Sequence, residues 1–368
     1  MVQGRFKAVS TRLLQRIGLS AAALLLGPLA TPAVAREVII GWPATITMNL
    51  APIAAGIELG LFQKEGLSIR VVELKGTSMV LPQVVSKGVD FGFVGAEPLA
   101  VLKQPGRSPM PVKYFYNATP FYNWEIIVPE AGPVHKIEDL KGKKVGVQVL
   151  TNTHMPITRV LLKNHGLVEG RDYSFQTIGY SGQALYSLMR GDADAYYIGW
   201  NEIANYQAMG AKLRILPMDR EIKTLFGNGY VAAEDRFKSD PQTMVGFGRA
   251  MAQATLACLG ALEWCVKATW KVYPQVKLKD GTEAEIMAKS VPVVQTILKT
   301  MLPQGLNDNP RYGAFSEESW SNLLRFLHEG GELQSRDIPT STLYSNELVD
   351  QINVFDRKAL MQTISNLK

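Results

Sequence analysis

Cysteine is nearly absent from this chain: only Cys258 and Cys265 occur among 368 residues. They sit seven apart within a helical pattern read from Pro241 to Trp270, which would separate their Cα atoms by about 10 Å along the axis. That exceeds disulfide reach, so two free, buried thiols are expected. Histidine is scarce too. His135, His154, His165 and His328 are scattered, with no metal-ligand spacing among themselves or with the cysteines. No G-x-S-x-G elbow and no paired carboxylates at one spacing appear, which argues against a hydrolytic site. Neither a metal nor a cofactor is indicated.

Charge of one sign is also lacking. The formal net charge is +6, but Arg5, Lys7, Arg12 and Arg16 lie ahead of Ala35 with no acidic residue among them. Removing those four from the 39 basic residues leaves 35 against 33 acidic ones, too small an excess to argue for nucleic acid or an anionic membrane. Long apolar runs are missing as well. The run from Ile17 is shorter than the roughly 20 residues a membrane span needs. Flanked by those basic residues and by Ala33-Val34-Ala35, it reads as a secretory signal over residues 1–35, cleaved after Ala35. A soluble, exported protein is expected.

What is present is α/β patterning. Ser68 to Leu74 is an apolar, β-branched strand that Gly76 stops. Thr77 and Ser78 are candidate N-caps for a helix running to Ser86, which Gly88 closes. Asp90 to Val94 is a second strand, ending at Gly95-Ala96-Glu97. Strand, helix, strand at this spacing is a βαβ unit with parallel strands, whose carboxyl-end loops face a ligand crevice. Asp90-Phe-Gly-Phe-Val-Gly95-Ala-Glu97 is echoed by Asp194-Ala-Tyr-Tyr-Ile-Gly199-Trp-Asn-Glu202. Two similar lobes, each presenting a Gly-to-Glu loop to a shared cleft, would account for the echo.

The remaining elements fit that plan. Glu37 to Gly41, Val112 to Asn117, Asn123 to Val128, Val145 to Val147, Tyr173 to Gly179 and Phe226 to Ala233 read as strands. Helices are expected from Pro52 to Gly60, Pro156 to His165 and Ser181 to Met189. After Pro241 the chain is mostly helical. The path crosses from one lobe to the other near residues 118–122 and returns near Phe226. The expected division is residues 36–120 with 226–368 for the first lobe, and 121–225 for the second.

Three phrases carry a family resemblance. They are Gly60-Leu-Phe-Gln-Lys-Glu-Gly66-Leu-Ser-Ile, Ser86-Lys-Gly-Val-Asp-Phe-Gly-Phe-Val-Gly95 and Ile137-Glu-Asp-Leu-Lys-Gly-Lys-Lys-Val-Gly146. In this order they resemble the solute-binding proteins of ABC importers, in the branch for nitrate, sulfonates, taurine and thiamine-pyrimidine precursors. The resemblance spans roughly residues 37 to 260. It implies a type II periplasmic binding protein: two α/β lobes joined by a two-strand hinge, with a helical C-terminal extension. It implies a monomer that captures a small solute between the lobes and delivers it to a membrane permease. A sensory binding module of the same fold is an alternative. A fungal pyrimidine-synthesising relative is an enzyme, but its His/Cys metal motif is absent here. Residues 271–312 depart from the compact family pattern.

The strand-end loops supply the candidate ligand contacts. Trp42, Thr45 and Asn49 follow the first strand, Thr77 and Ser78 the second, and Glu97 the third. Tyr122 and Trp124 lie at the first crossover. Thr151 and Asn152 precede the second lobe's first helix, where His154 reads as a surface residue rather than a contact. Tyr180, Trp200 and Glu202 complete the set, with Asn201 between the last two. Helix N-termini near Asn49, Thr77 and Thr153 would aim free N–H groups at the cleft. No arginine falls in these loops, whereas an anion site often carries one. The aromatics suggest stacking on a planar body, with Glu97 or Glu202 accepting N–H bonds. The expected solute is a small, planar or aromatic organic molecule with one polar or acidic end; a sulfonate- or nitrate-type anion is the alternative.

Overall fold

A computed structural model describes Met1 and residues 35–367, apart from 75, 109, 153 and 303–310. The secretory signal, Thr153 and part of the 271–312 stretch lie outside the described residues. The strands are β1 (Arg36–Trp42), β2 (Leu67–Glu73), β3 (Phe91–Gly95), β4 (Val112–Asn117), β5 (Trp124–Pro129), β6 (Lys143–Val147), β7 (Tyr173–Thr177), β8 (Ala195–Gly199), β9 (Leu213–Ile215) and β10 (Asn228–Ala233). The first seven helices are α1 (Ala51–Glu58), α2 (Leu61–Lys64), α3 (Thr77–Val85), α4 (Glu97–Leu102), α5 (Met155–Asn164), α6 (Ser181–Arg190) and α7 (Trp200–Ala208). After β10 come α8 (Arg236–Ser239), α9 (Pro241–Gly260), α10 (Leu262–Val272), α11 (Glu283–Met301), α12 (Glu317–Gly330), α13 (Val349–Ile352) and α14 (Arg357–Ser365). No described helix is long and apolar enough to cross a membrane.

Two five-stranded mixed sheets organise the chain, in the orders β2-β1-β3-β10-β4 and β7-β6-β8-β5-β9. The repetition is close. In each sheet three strands run parallel, and a strand from across the chain, β10 or β5, inserts antiparallel beside the third. The two echoed aspartates act alike. Asp90 Oδ2 accepts from Ile39 N at 2.8 Å, and Asp194 Oδ2 accepts from Lys144 N at 2.9 Å. Each side chain thus ties the start of its own strand to the parallel neighbour. This is the architecture expected of the periplasmic binding protein fold, with helices on the sheet faces and a helical C-terminal region.

The two crossings run side by side. Thr119 N donates to Asn228 O at 2.9 Å, and Gly227 N donates to Thr119 O at 3.1 Å. A Cβ at Gly227 would sit 2.7 Å from Phe121 O, so only glycine permits this approach.

Several details depart from the sequence reading. The N-cap of α3 is Gly76, at φ 94°, rather than Thr77 or Ser78, and no side chain caps it. Lys87, not Gly88, takes the left-handed conformation after α3, at φ 61°. Glu97 and Trp200 open helices instead of lying in loops. The helix read from Pro241 to Trp270 is two helices, broken at Ala261 (φ −148°, ψ 71°). That break folds α10 back, bringing the Cα atoms of Cys258 and Cys265 to 5.0 Å, and the two form a disulfide. The expectation of free thiols is therefore wrong, because it assumed a straight helix.

The C-terminal helices pack on both sheets' helices. α11 lies against α7 and against α9 and α10, while α12 lies against α5. A continuous apolar core runs from Val80, Val94 and Leu99 through Tyr122 and Ile126 to Leu161 and Trp320.

Candidate functional site

The carboxyl ends of the parallel strands in both sheets converge on one cavity of about 110 Å³. The first sheet contributes Trp42 and Asn49 after β1, Gly76 and Thr77 after β2, and Phe93 from β3. The second contributes Gln148, Asn152 and His154 after β6, Tyr180 after β7, and Asn201 and Glu202 after β8. The crossings add Thr119, Asn123, Trp124 and Asn228, and the last turn of α11 adds Ile297, Thr300 and Met301. Four helices, α3, α5, α6 and α7, therefore point their N-terminal turns at the cavity, a favourable field for the electron-rich end of a ligand.

Aromatic rings form the walls. Trp42 stacks on Phe93 with centroids 4.3 Å apart and planes 19° from parallel. Only 4% of Trp42 is exposed, and its Nε1–H is buried without a partner. Asn123 is likewise buried, with Oδ1 unpartnered. An unmet donor and acceptor in one cavity wall cost free energy unless a ligand or water completes them. Trp124 lies 4.0 Å from the imidazole of His154, centroid to centroid.

Polar contacts cross between the sheets on both sides of the cavity. On one side Glu97, fully buried at the start of α4, meets His154 at the start of α5, with Oε1 2.7 Å from Nδ1. Tyr122 and Tyr197 join hydroxyls beside them at 2.6 Å, and burial pushes both phenols well above their ordinary range. On the other side Asn49 Nδ2 donates to Glu202 Oε1 at 3.2 Å, and Asn201 Nδ2 donates to Asn49 Oδ1. Burial raises the Glu202 carboxyl to about 7, against the opposing effects of the Asn49 hydrogen bond and the backbone. Desolvation thus outweighs two favourable contacts to the anion. Gly199 lets α7 begin this close, since a Cβ there would lie 2.8 Å from Asn201 Oδ1.

Seven sequence candidates line the cavity: Trp42, Asn49, Thr77, Trp124, Asn152, Tyr180 and Glu202. The other six lie elsewhere. Ser78 and Thr151 are exposed at the rim, and Thr45 lines an adjoining cavity that shares Glu202. Glu97 and Tyr122 are buried behind the wall. Trp200 turns away, packing on Phe121 and donating from Nε1 to Glu125 at 3.0 Å. His154 was read as a surface residue but is 1% exposed. Its partner Glu97 lies far off in sequence, so no local spacing could reveal the pair. Phe93, Asn123, Gln148 and the α11 residues were also missed. Phe93 could have been found, because it shares a face of β3 with the buried Phe91 and lies two residues before the strand's carboxyl end. Among the described residues lining the cavity none is Lys or Arg, and no group of three or more described His, Cys, Asp or Glu side chains could hold a metal.

Comparison with known proteins agrees with this architecture. The family model described as NMT1/THI5 like matches residues 47–261, more than half of the chain. No curated protein sequence matches. Among solved structures, the alkanesulfonate-binding protein SsuA from Xanthomonas axonopodis pv. citri, bound to MOPS, superposes with a TM-score of 0.60 at 16% identity, covering 86% of this chain and 100% of that one. The periplasmic nitrate-binding protein NrtA from Synechocystis PCC 6803 gives 0.58 at 15% identity, covering 90% and 89%. A Candida albicans protein with the generic periplasmic binding protein fold gives 0.62 at 14% identity, covering 88% and 99%. At these identities the structural likenesses establish the fold.

Proposed function

Because the chain belongs to the NMT1/THI5 like family, we propose that it is an exported solute-capturing protein of an ABC importer, which closes two lobes on a small molecule and delivers it to a membrane permease. The lobes are residues 36–120 with 226–368, and residues 121–225. The solute is a small, largely planar organic molecule with a polar or acidic end. One observation carries this reading: the cavity is walled by aromatic rings, amides and hydroxyls, with no described Lys or Arg. The Cys258–Cys265 disulfide supports an oxidising compartment. Contacts to both halves favour the closed state by their differential affinity.

The competing reading is a bare inorganic anion, which the solved nitrate-binding neighbour would suggest. A cavity bounded by Glu202 and lacking a described Lys or Arg opposes it, because a bare anion cannot turn a neutral edge toward a carboxylate. Helix N-termini offer an acidic group some compensation, roughly 0.3–1 kcal/mol each, without formal charge.

A thermal-shift screen of small heterocycles, amines and acids against residues 36–368, followed by calorimetry, tests the reading. A stacked ring contributes about 0.5–1.5 kcal/mol beyond burial, so Trp42→Ala should weaken binding of a hit about tenfold or more, once melting shows the variant folded. Trp200→Ala should leave binding within about threefold, since that ring lies off the cavity. Tight nitrate or sulfate binding, indifferent to Trp42, would refute the planar-solute reading in favour of an inorganic anion.

A further inference from the structure

His154 stands at the start of α5, 1% exposed, and lines the cavity. Its Nδ1 is held 2.7 Å from Glu97 Oε1. An ionised carboxylate only accepts hydrogen bonds, so Nδ1 is the nitrogen that carries hydrogen there. Nε2 is then the polar atom the ring can offer to the cavity. Trp124 packs on the imidazole at 4.0 Å and Tyr122 at 5.3 Å, so the ring is gripped and cannot swing to exchange its nitrogens. The other Glu97 oxygen, Oε2, is buried without a partner. A desolvated carboxylate with one oxygen unpaired is best compensated by a full positive charge on the group that does pair with it. The pair therefore suits an imidazolium whose Nε2–H donates to an acceptor in the cavity.

We propose that His154 is the specificity-determining residue for a carboxylate on the bound solute, and that Glu97 is the positioning residue acting through it. This rests on the cleft-binding reading and gives the solute an orientation. Trp124 lies against His154 on one side, and on the other a Cβ added at Gly199 would meet both Trp124 Nε1, at 3.7 Å, and Glu202 Oε2, at 3.3 Å. The two titratable groups thus bracket one indole. The acceptor end of a planar molecule goes to His154 and an N–H edge to Glu202 and Asn201.

An imidazolium at His154 donates Nδ1–H to Glu97 and Nε2–H to the solute's carboxylate, and so favours an acid over its amide. The titratable groups facing the pair are Tyr114 from β4, Tyr122 from the crossing and Tyr197 from β8, with Tyr180 and Glu202 across the cavity. Burial keeps the tyrosines neutral throughout. Glu202 does titrate, so the assignment depends on comparing variants.

The test is calorimetry with matched probe pairs, nicotinate with nicotinamide and picolinate with picolinamide, compared across variants under one set of conditions. Residues 36–368 are used as wild type, His154→Gln and Glu97→Gln, each checked by melting and by Trp fluorescence. The expected result is an acid that wild type binds about tenfold more tightly than His154→Gln does, with the amide changed less than about threefold. Glu97→Gln should lower acid affinity toward that of His154→Gln while retaining amide binding. If acid and amide bind wild type and His154→Gln alike, the assignment falls and the cleft reading stands. If no pair binds wild type at all, the planar-solute reading falls, and the assignment with it.

Discussion

At the junction of Asn49, Asn201 and Glu202, burial wins over hydrogen bonding, and the consequence can be measured. The Glu202 carboxyl titrates near 7 in the folded protein against an ordinary 4.5. Between those values the folded state holds more protons than the unfolded one, so stability falls as pH rises across that window and levels off above it. The full effect is present below the ordinary value and lost as pH passes the folded one. Allowing for partial solvent access, the loss is about 1–2 kcal/mol. Carboxylates held below their usual range by Arg or backbone partners, such as Asp172 and Asp192, act in the opposite direction. The difference between wild type and Glu202→Gln is therefore the quantity to read. Urea denaturation from about pH 5 to about pH 8 should show the variant gaining on wild type by that amount; parallel curves would contradict the burial argument. Residues such as Trp42, Asn49 and Glu202 were legible because each follows a strand's carboxyl end. His154 was not, since its burial depends on Glu97 in the other half of the fold.

Among the elements, the break between α9 and α10 was hidden because both sides of Gly260-Ala261 keep helical patterning. Cysteines seven apart are out of reach on a straight helix, yet the turn at Ala261 brings their Cα atoms to 5.0 Å. Closing so short a loop stabilises by about 2 kcal/mol in the chain-entropy view. Thiol titration of the denatured, unreduced protein should find no free groups. Cys258→Ser with Cys265→Ser should lower the midpoint of denaturation by a corresponding amount, and unchanged stability would contradict a structural role. α11 was expected as a helix, but its place was not legible. Its last turn, Ile297 to Met301, closes a cavity whose other walls all come from residues before 229. Thr300 turns its hydroxyl to Ile297 O at 2.7 Å, so this wall is largely carbon.

For the whole molecule, the two-sheet plan could be read from one repeated phrase, because the same physical need recurs. Each third strand is preceded by an aspartate that ties it to a parallel neighbour, and each ends in a glycine followed by a helix start. The packing of α11 on α7 and of α12 on α5 could not be read, since it joins segments far apart in the chain. The central claim is that one solute is gripped from both halves. Hydrogen–deuterium exchange of residues 36–368, with and without a screened solute at saturation, tests it most directly. The account predicts simultaneous protection of residues 42–50 and 76–80 from the first sheet, and of 148–158 and 199–205 from the second. Protection confined to one of these halves, or located away from all four segments, would contradict it.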